Sequence, residues 1–124
     1  MLLIDQNVEN EGLLAAARQI CLAARTAPKG KGKDLLVTAI IGGEEKDRLS
    51  QQMKKIGQEQ ELAFFLRDAA NVDAVELMVL LASKKEPLGL TYCGYCGFEN
   101  CAGMLQAGGT CSFNAGDLGV AVGS

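Results

Sequence analysis

Apolar and polar residues along this chain fall into blocks whose period changes from one to the next. Leu13, Leu14, Ala17, Ile20, Cys21 and Ala24 recur at helical spacing, one apolar stripe on an alanine-rich helix. Pro28 and the Gly30-Lys31-Gly32 stretch end that helix. Leu35 to Ile41 is a short, nearly unbroken apolar run between turn signals, which predicts a strand buried on both faces. Glu44 to about Gln60 is polar and rich in helix formers, with Leu49, Met53 and Ile56 near helical spacing. It predicts a surface helix covering the sheet. Leu62 to Leu66 fits either a short strand or the end of that helix, and Val75 to Ala82 predicts a second buried strand, broken by Lys84-Lys85-Glu86-Pro87.

After Gly89 the pattern dissolves. Nine of the fifteen glycines and four of the five cysteines lie in residues 89–124. Glycine this dense argues against regular structure and for a tight binding loop. Ser112 or Asn114 is placed to cap a last helix, Ala115 to about Val122. The apolar ending predicts a cut fragment or a helix that docks in an oligomer. The expected fold is α+β, helices covering a sheet plus a Cys/Gly-rich loop, with residues 1–88 and 89–124 packed as one domain. A length of 124 residues suits a single domain.

Composition removes whole classes of chemistry. With no histidine, the chain holds no Ser-His-Asp or Cys-His machinery, no His-ligated zinc and no imidazole switch. All twelve Lys and Arg lie at or before Lys85, and residues 87–124 carry only Glu99 and Asp117. No broad basic face is present, so nucleic acid is not an expected partner. Apolar runs such as Leu77 to Ala82 are too short to span a bilayer, and the start Met1 to Asp5 lacks the features of a secretory leader. With an odd cysteine count as well, the expected location is cytoplasmic.

Cys93, Cys96, Cys101 and Cys111 form C-x2-C-x4-C-x9-C. Three thiols within nine residues can wrap one face of a metal centre, and the fourth can close it. Four readings compete: a [4Fe–4S] cluster on four thiolates, structural zinc, a dithiol at Cys93 and Cys96, and inert thiols. The middle gap is longer than in the bacterial ferredoxin run, and the usual proline is absent. Zinc sites commonly pair two C-x2-C knuckles, and one is present here. The dithiol reading leaves Cys101 and Cys111 without a purpose, so iron and sulfur lead. Because no basic residue stands nearby in sequence, the expected cluster potential is low. Tyr92, Tyr95 and Phe98 are placed to shield the site, and Cys21, on the helical stripe, reads as core packing. Arg25, Lys29, Lys31 and Lys33, interleaved with Gly30 and Gly32, are weak phosphate candidates or a solvated charged loop. Asp68-Ala69-Ala70-Asn71 suggests an Asx turn opening a helix.

Three segments carry a resemblance: Ala23 to Ile40 (AARTAPKGKGKDLLVTAI), Phe64 to Ala74 (FFLRDAANVDA) and GYCGFENC followed by GDLGVAVGS. Together they resemble a family of uncharacterised bacterial and archaeal proteins said to contain a ferredoxin domain. The resemblance implies an iron–sulfur cluster on the four cysteines and a redox partner protein, on a chain shorter than its relatives. Ala24 to Ile41 is also similar to the start of flavin-dependent nitroreductases, which implies a mixed sheet flanked by helices, in a fold that often forms homodimers, with FMN near Arg25 to Lys33. The Arg-rich stretch those enzymes carry before the first helix is absent, and Gly32 to Leu36 replaces their Asn-x-Gln-Pro-Trp stretch.

Overall fold

The structure, a computed structural model, describes residues 1–2 and 4–124. Leu3, within the short apolar start, lies outside the described residues. The element order is α1 (Gln6–Thr26), a 3-10 turn (Gly30–Gly32), β1 (Leu36–Gly42), α2 (Gly43–Glu59), α3 (Ala63–Asp73), β2 (Leu77–Ser83), α4 (Cys101–Gln106) and α5 (Ser112–Gly123). This is an α+β chain. Its sheet is one antiparallel pair: the Lys84 amide donates to the Leu35 carbonyl at 2.9 Å, and Gly42 lies against Leu77 at the other end.

An antiparallel pair needs no crossover helices on both faces. Alternation follows, instead of the double burial expected of both strands. Leu36 is buried and Leu81 packs onto the same cluster, whereas Val37 is 45% exposed and Leu80 37%. Along α1 the predicted stripe is realised unevenly. Its small members Ala17 and Ala24 are buried, Cys21 is half-buried, and Leu13, Leu14 and Ile20 remain exposed.

The chain divides into two compact units with interleaved segments. The first comprises Met1–Ile20 and Ala39–Leu80, the second Cys21–Thr38 and Leu81–Ser124. The composition changes elsewhere, at residue 89.

Within the first unit α2 packs on α3. The ambiguous run at Leu62 is thus the start of a helix of its own, whose stripe of Phe65, Ala69 and Val72 recurs at helical spacing. The two helices approach closely at Gly57, where an added Cβ would come within 2.9 Å of Leu66 and 3.2 Å of Phe65. Lys46, 7% exposed, donates to the Val72 carbonyl at 3.0 Å, and the Ser50 hydroxyl donates to the Ala69 carbonyl at 3.2 Å. Lys54 pairs with Asp73 at 2.5 Å, and the ammonium, then the Ser50 hydroxyl, holds that carboxyl below its ordinary range. Asp68 to Asn71 lie inside α3, so they open no helix.

In the second unit, Ala24, Ala27, Leu36 and Ala121 form one buried cluster, with Leu81 and Leu118 against it. A second gathers Leu88, Met104 and Cys111, with Cys96, Phe98 and Phe113 packed around them.

Candidate functional site

The glycine-dense segment contains more regular structure than its composition predicts: α4 begins at one cysteine of the motif and α5 directly after another. Asn100 caps α4: its side-chain oxygen accepts from the Gly103 amide at 2.8 Å, leaving Cys101 as the first helical residue. Gly108, at φ 69°, closes α4. Its amide donates to Leu105 and the Gly109 amide to Met104, a Schellman ending that turns the chain toward Cys111. Cys111 directly precedes α5 and is 8% exposed.

Asn114 does not cap α5. It is buried, accepts from the Glu86 amide at 3.0 Å and donates to the Glu86 carbonyl at 2.8 Å. The residue that resembled a local cap therefore ties α5 to the segment leaving β2. Ser112 donates to the Tyr95 carbonyl at 3.4 Å, and makes no cap either.

Cys93, Cys96, Cys101 and Cys111 all line one pocket, together with Leu88, Phe98, Met104 and Phe113. Its volume is about 350 Å³ counted out to the open mouth, within which the centre of a water molecule has about 20 Å³ to occupy, room for one water. All five cysteines are free thiols. Among the described residues no three Cys, Asp or Glu side chains stand close enough to share one metal ion. The aromatic residues expected to shield the site divide their roles. Phe98 lines the pocket, Tyr95 lies against Phe113 with ring centroids 5.3 Å apart, and Tyr92 is fully exposed.

The basic loop is occupied by the chain's own acceptors. Arg25 donates to both oxygens of Asp34 at 3.0 and 2.9 Å and to the Leu36 carbonyl at 2.8 Å. That guanidinium, then the Leu36 amide, holds the Asp34 carboxyl below its ordinary range. Lys29 reaches the Ala24 and Arg25 carbonyls at the end of α1, a favourable place for a cation. Lys31 donates to the Leu88 carbonyl at 3.2 Å, and Lys33 to the Pro87 carbonyl at 3.3 Å while pairing with Glu86. From the other side of the sequence, Lys85 donates to the Gly108 carbonyl at 3.1 Å. The four-cysteine segment, bare of cations in sequence, thus has three lysines on its backbone in space. No local signal announces these partners, because the pairing residues are 23 to 57 positions apart.

Gly30 joins the loop to α5. Its amide donates to Asp117 at 2.9 Å, and a Cβ there would meet Leu88 at 2.8 Å and Phe113 at 2.9 Å, both lining residues of the cysteine pocket.

Among the described residues, no helix is long and apolar enough to cross a membrane. A protein of Archaeoglobus fulgidus, described as uncharacterised, is 33% identical over 132 aligned positions that cover this whole chain and 71% of the relative. No family model matches the chain, and no solved structure matches it.

Proposed function

The chain belongs to the family of that Archaeoglobus fulgidus protein, and from this premise we propose that it is an iron–sulfur redox protein whose Cys93, Cys96, Cys101 and Cys111 hold one [4Fe–4S] cluster. One observation carries the reading: four free thiols from different parts of an 19-residue stretch line one pocket that is otherwise mainly apolar. The donor set fits the group, since such a cluster takes four cysteine thiolates. A bound cluster supplies one-electron transfer.

Beside the four thiols the lining offers Asn100 and Ser112 and no carboxylate, an all-thiol donor set of the kind such a cluster takes, and the metal taken up separates this reading from structural zinc. The room among the thiols is small, so the chain admits such a group by moving its walls. Gly97 and Gly108, both at positive φ, are the natural joints in that loop. Binding and ordering of residues 93–111 are then coupled. Phe98, Met104 and Phe113 exclude water from the thiolate side, which together with hydrogen bonding sets a cluster's potential.

Anaerobic reconstitution with iron and sulfide tests the proposal. The expected product is brown, bleaches with dithionite, carries about four irons and four sulfides per chain and gives an electron paramagnetic resonance signal when reduced. A colourless protein that retains one zinc per chain and rejects iron overturns it.

A further inference from the structure

Residues 87–124 contain no lysine or arginine, yet four thiols line one pocket, and a metal centre held by four cysteines takes them as anionic ligands. The fold brings cations to that segment from outside it. Lys31 sits at φ 56° between Gly30 and Gly32, in a turn whose Gly30 is pressed against Leu88 and Phe113. From there its ammonium reaches the carbonyl of Leu88, a pocket-lining residue. Lys85 reaches the Gly108 carbonyl, at the turn that leads from α4 to Cys111. Neither ammonium has a carboxylate partner among the described residues. Lys33 does: Glu86 lies 3.2 Å from it and offsets its charge.

We infer that Lys31 and Lys85 are positioning residues of the cysteine pocket, fixing the backbone where the chain enters and leaves it and supplying the positive potential its own segment lacks. The inference deepens the proposed function, and rests on these four cysteines acting together as an anionic site. The ammonium groups hydrogen-bond the carbonyl of Leu88, which lines the pocket, and that of Gly108, three residues before Cys111, so their charges stay at these two points of the backbone instead of swinging through solvent. Both lysines are exposed, and near a protein surface, with an effective dielectric constant of about 20, such charges act across several ångströms and are screened by salt. They favour the more negative state of anything held by the thiolates. The sequence alone predicts a low cluster potential; these two lysines act in the opposite direction, and raise it.

The test compares two disulfide reagents at one pH in a Cys21→Ser background, so that the reacting thiols are those of the pocket. Anionic dithionitrobenzoate and neutral dithiodipyridine are attacked by the same thiolate. In each case a mixed protein–reagent disulfide forms, the reagent's own S–S bond breaks and an aromatic thiolate leaves. The ratio of the two rates cancels the amount of thiolate, and reads the local potential. K31Q and K85Q each lower the anionic-to-neutral ratio, and the double variant lowers it severalfold. K33Q changes it least, and K31R/K85R retains the parent ratio because it retains the charge. Added salt compresses all the differences. In iron-loaded protein, K31Q/K85Q has a more negative midpoint potential than K31R/K85R.

An unmoved ratio in K31Q/K85Q, an arginine double as low as the glutamine double, or an unmoved midpoint potential overturns the inference. A falling ratio in a chain that takes up no iron leaves the lysines' role standing, and removes the cluster. A flat ratio in a chain that takes up four irons does the reverse.

Discussion

Polar groups in the two units find their partners over very different lengths of chain. Between α2 and α3, Lys46, Ser50 and Lys54 bond to residues 19 to 26 positions away, all within one helical hairpin. In the cysteine unit, Asn114 reaches back 28 positions to Glu86, Lys33 and Lys31 reach forward 54 and 57, and Gly30 meets Asp117 across 87. The entropy of closing a loop rises with its length, and long-range contacts form late. The hairpin can organise from nearby sequence. The pocket becomes defined only once distant segments have met.

The sharpest way to break this contrast is through the thiols themselves. Ser replacement of Cys93, Cys96, Cys101 or Cys111, one at a time, is expected to abolish stable iron binding after anaerobic reconstitution, while helical circular dichroism persists. Cys21→Ser should retain the full iron content, since Cys21 contributes nothing to the pocket. Iron loss in the Cys21 variant, or full loading in two of the others, would place the site elsewhere.

A smaller effect separates the units by stability. Asn114→Ala removes two hydrogen bonds and leaves the part-buried amide and carbonyl of Glu86 without their partner, an expected cost of about 1–2 kcal/mol in urea unfolding. Gly57→Val overpacks the helix hairpin at an expected cost of about 1–3 kcal/mol. The two diverge in iron occupancy: the Asn114 variant loads poorly and the Gly57 variant loads normally. Equal loading would show that the pocket does not depend on its long-range ties.

The smallest effect is acid sensitivity, and it touches both units. Arg25 and the Leu36 amide lower Asp34, and Lys54 with Ser50 lowers Asp73. A carboxyl whose folded value lies below its unfolded value of about 3.9 stabilises the fold above that pH. Its contribution disappears as pH falls through the lower, folded value. Both groups are exposed and the pairs are weak, so Asp34→Asn and Asp73→Asn should each slightly flatten the stability loss below about pH 4. An unchanged acid-unfolding curve in either variant would remove that ion pair from the account.

What could be read from the sequence follows the same division. The stripe from Leu13 to Ala24, which lies within the longer helix Gln6–Thr26, both strands and α2 are visible as period changes, since each is a local pattern. The helix α3 is hidden because Leu62 to Leu66 shows too few residues to fix a period; extended through Ala69 and Val72, the stripe is helical. The four thiols stand out by spacing alone, and the structure puts all of them on one wall. The roles of Lys31, Lys33, Lys85 and Asn114 could not be read at all. Each bonds to a backbone group far along the chain, and a carbonyl leaves no mark in a sequence.

One further property follows from where the aromatic residues lie. The chain has no tryptophan, and its two tyrosines, Tyr92 and Tyr95, flank Cys93. Its intrinsic ultraviolet emission therefore originates wholly in the segment that carries the thiols. Tyr92 is fully exposed while Tyr95 lies against Phe113, so the pair supplies one fluorophore open to water and one packed in the wall. Without any label, fluorescence follows the pocket and is blind to melting of the α2–α3 hairpin, whose aromatic residues are phenylalanines alone.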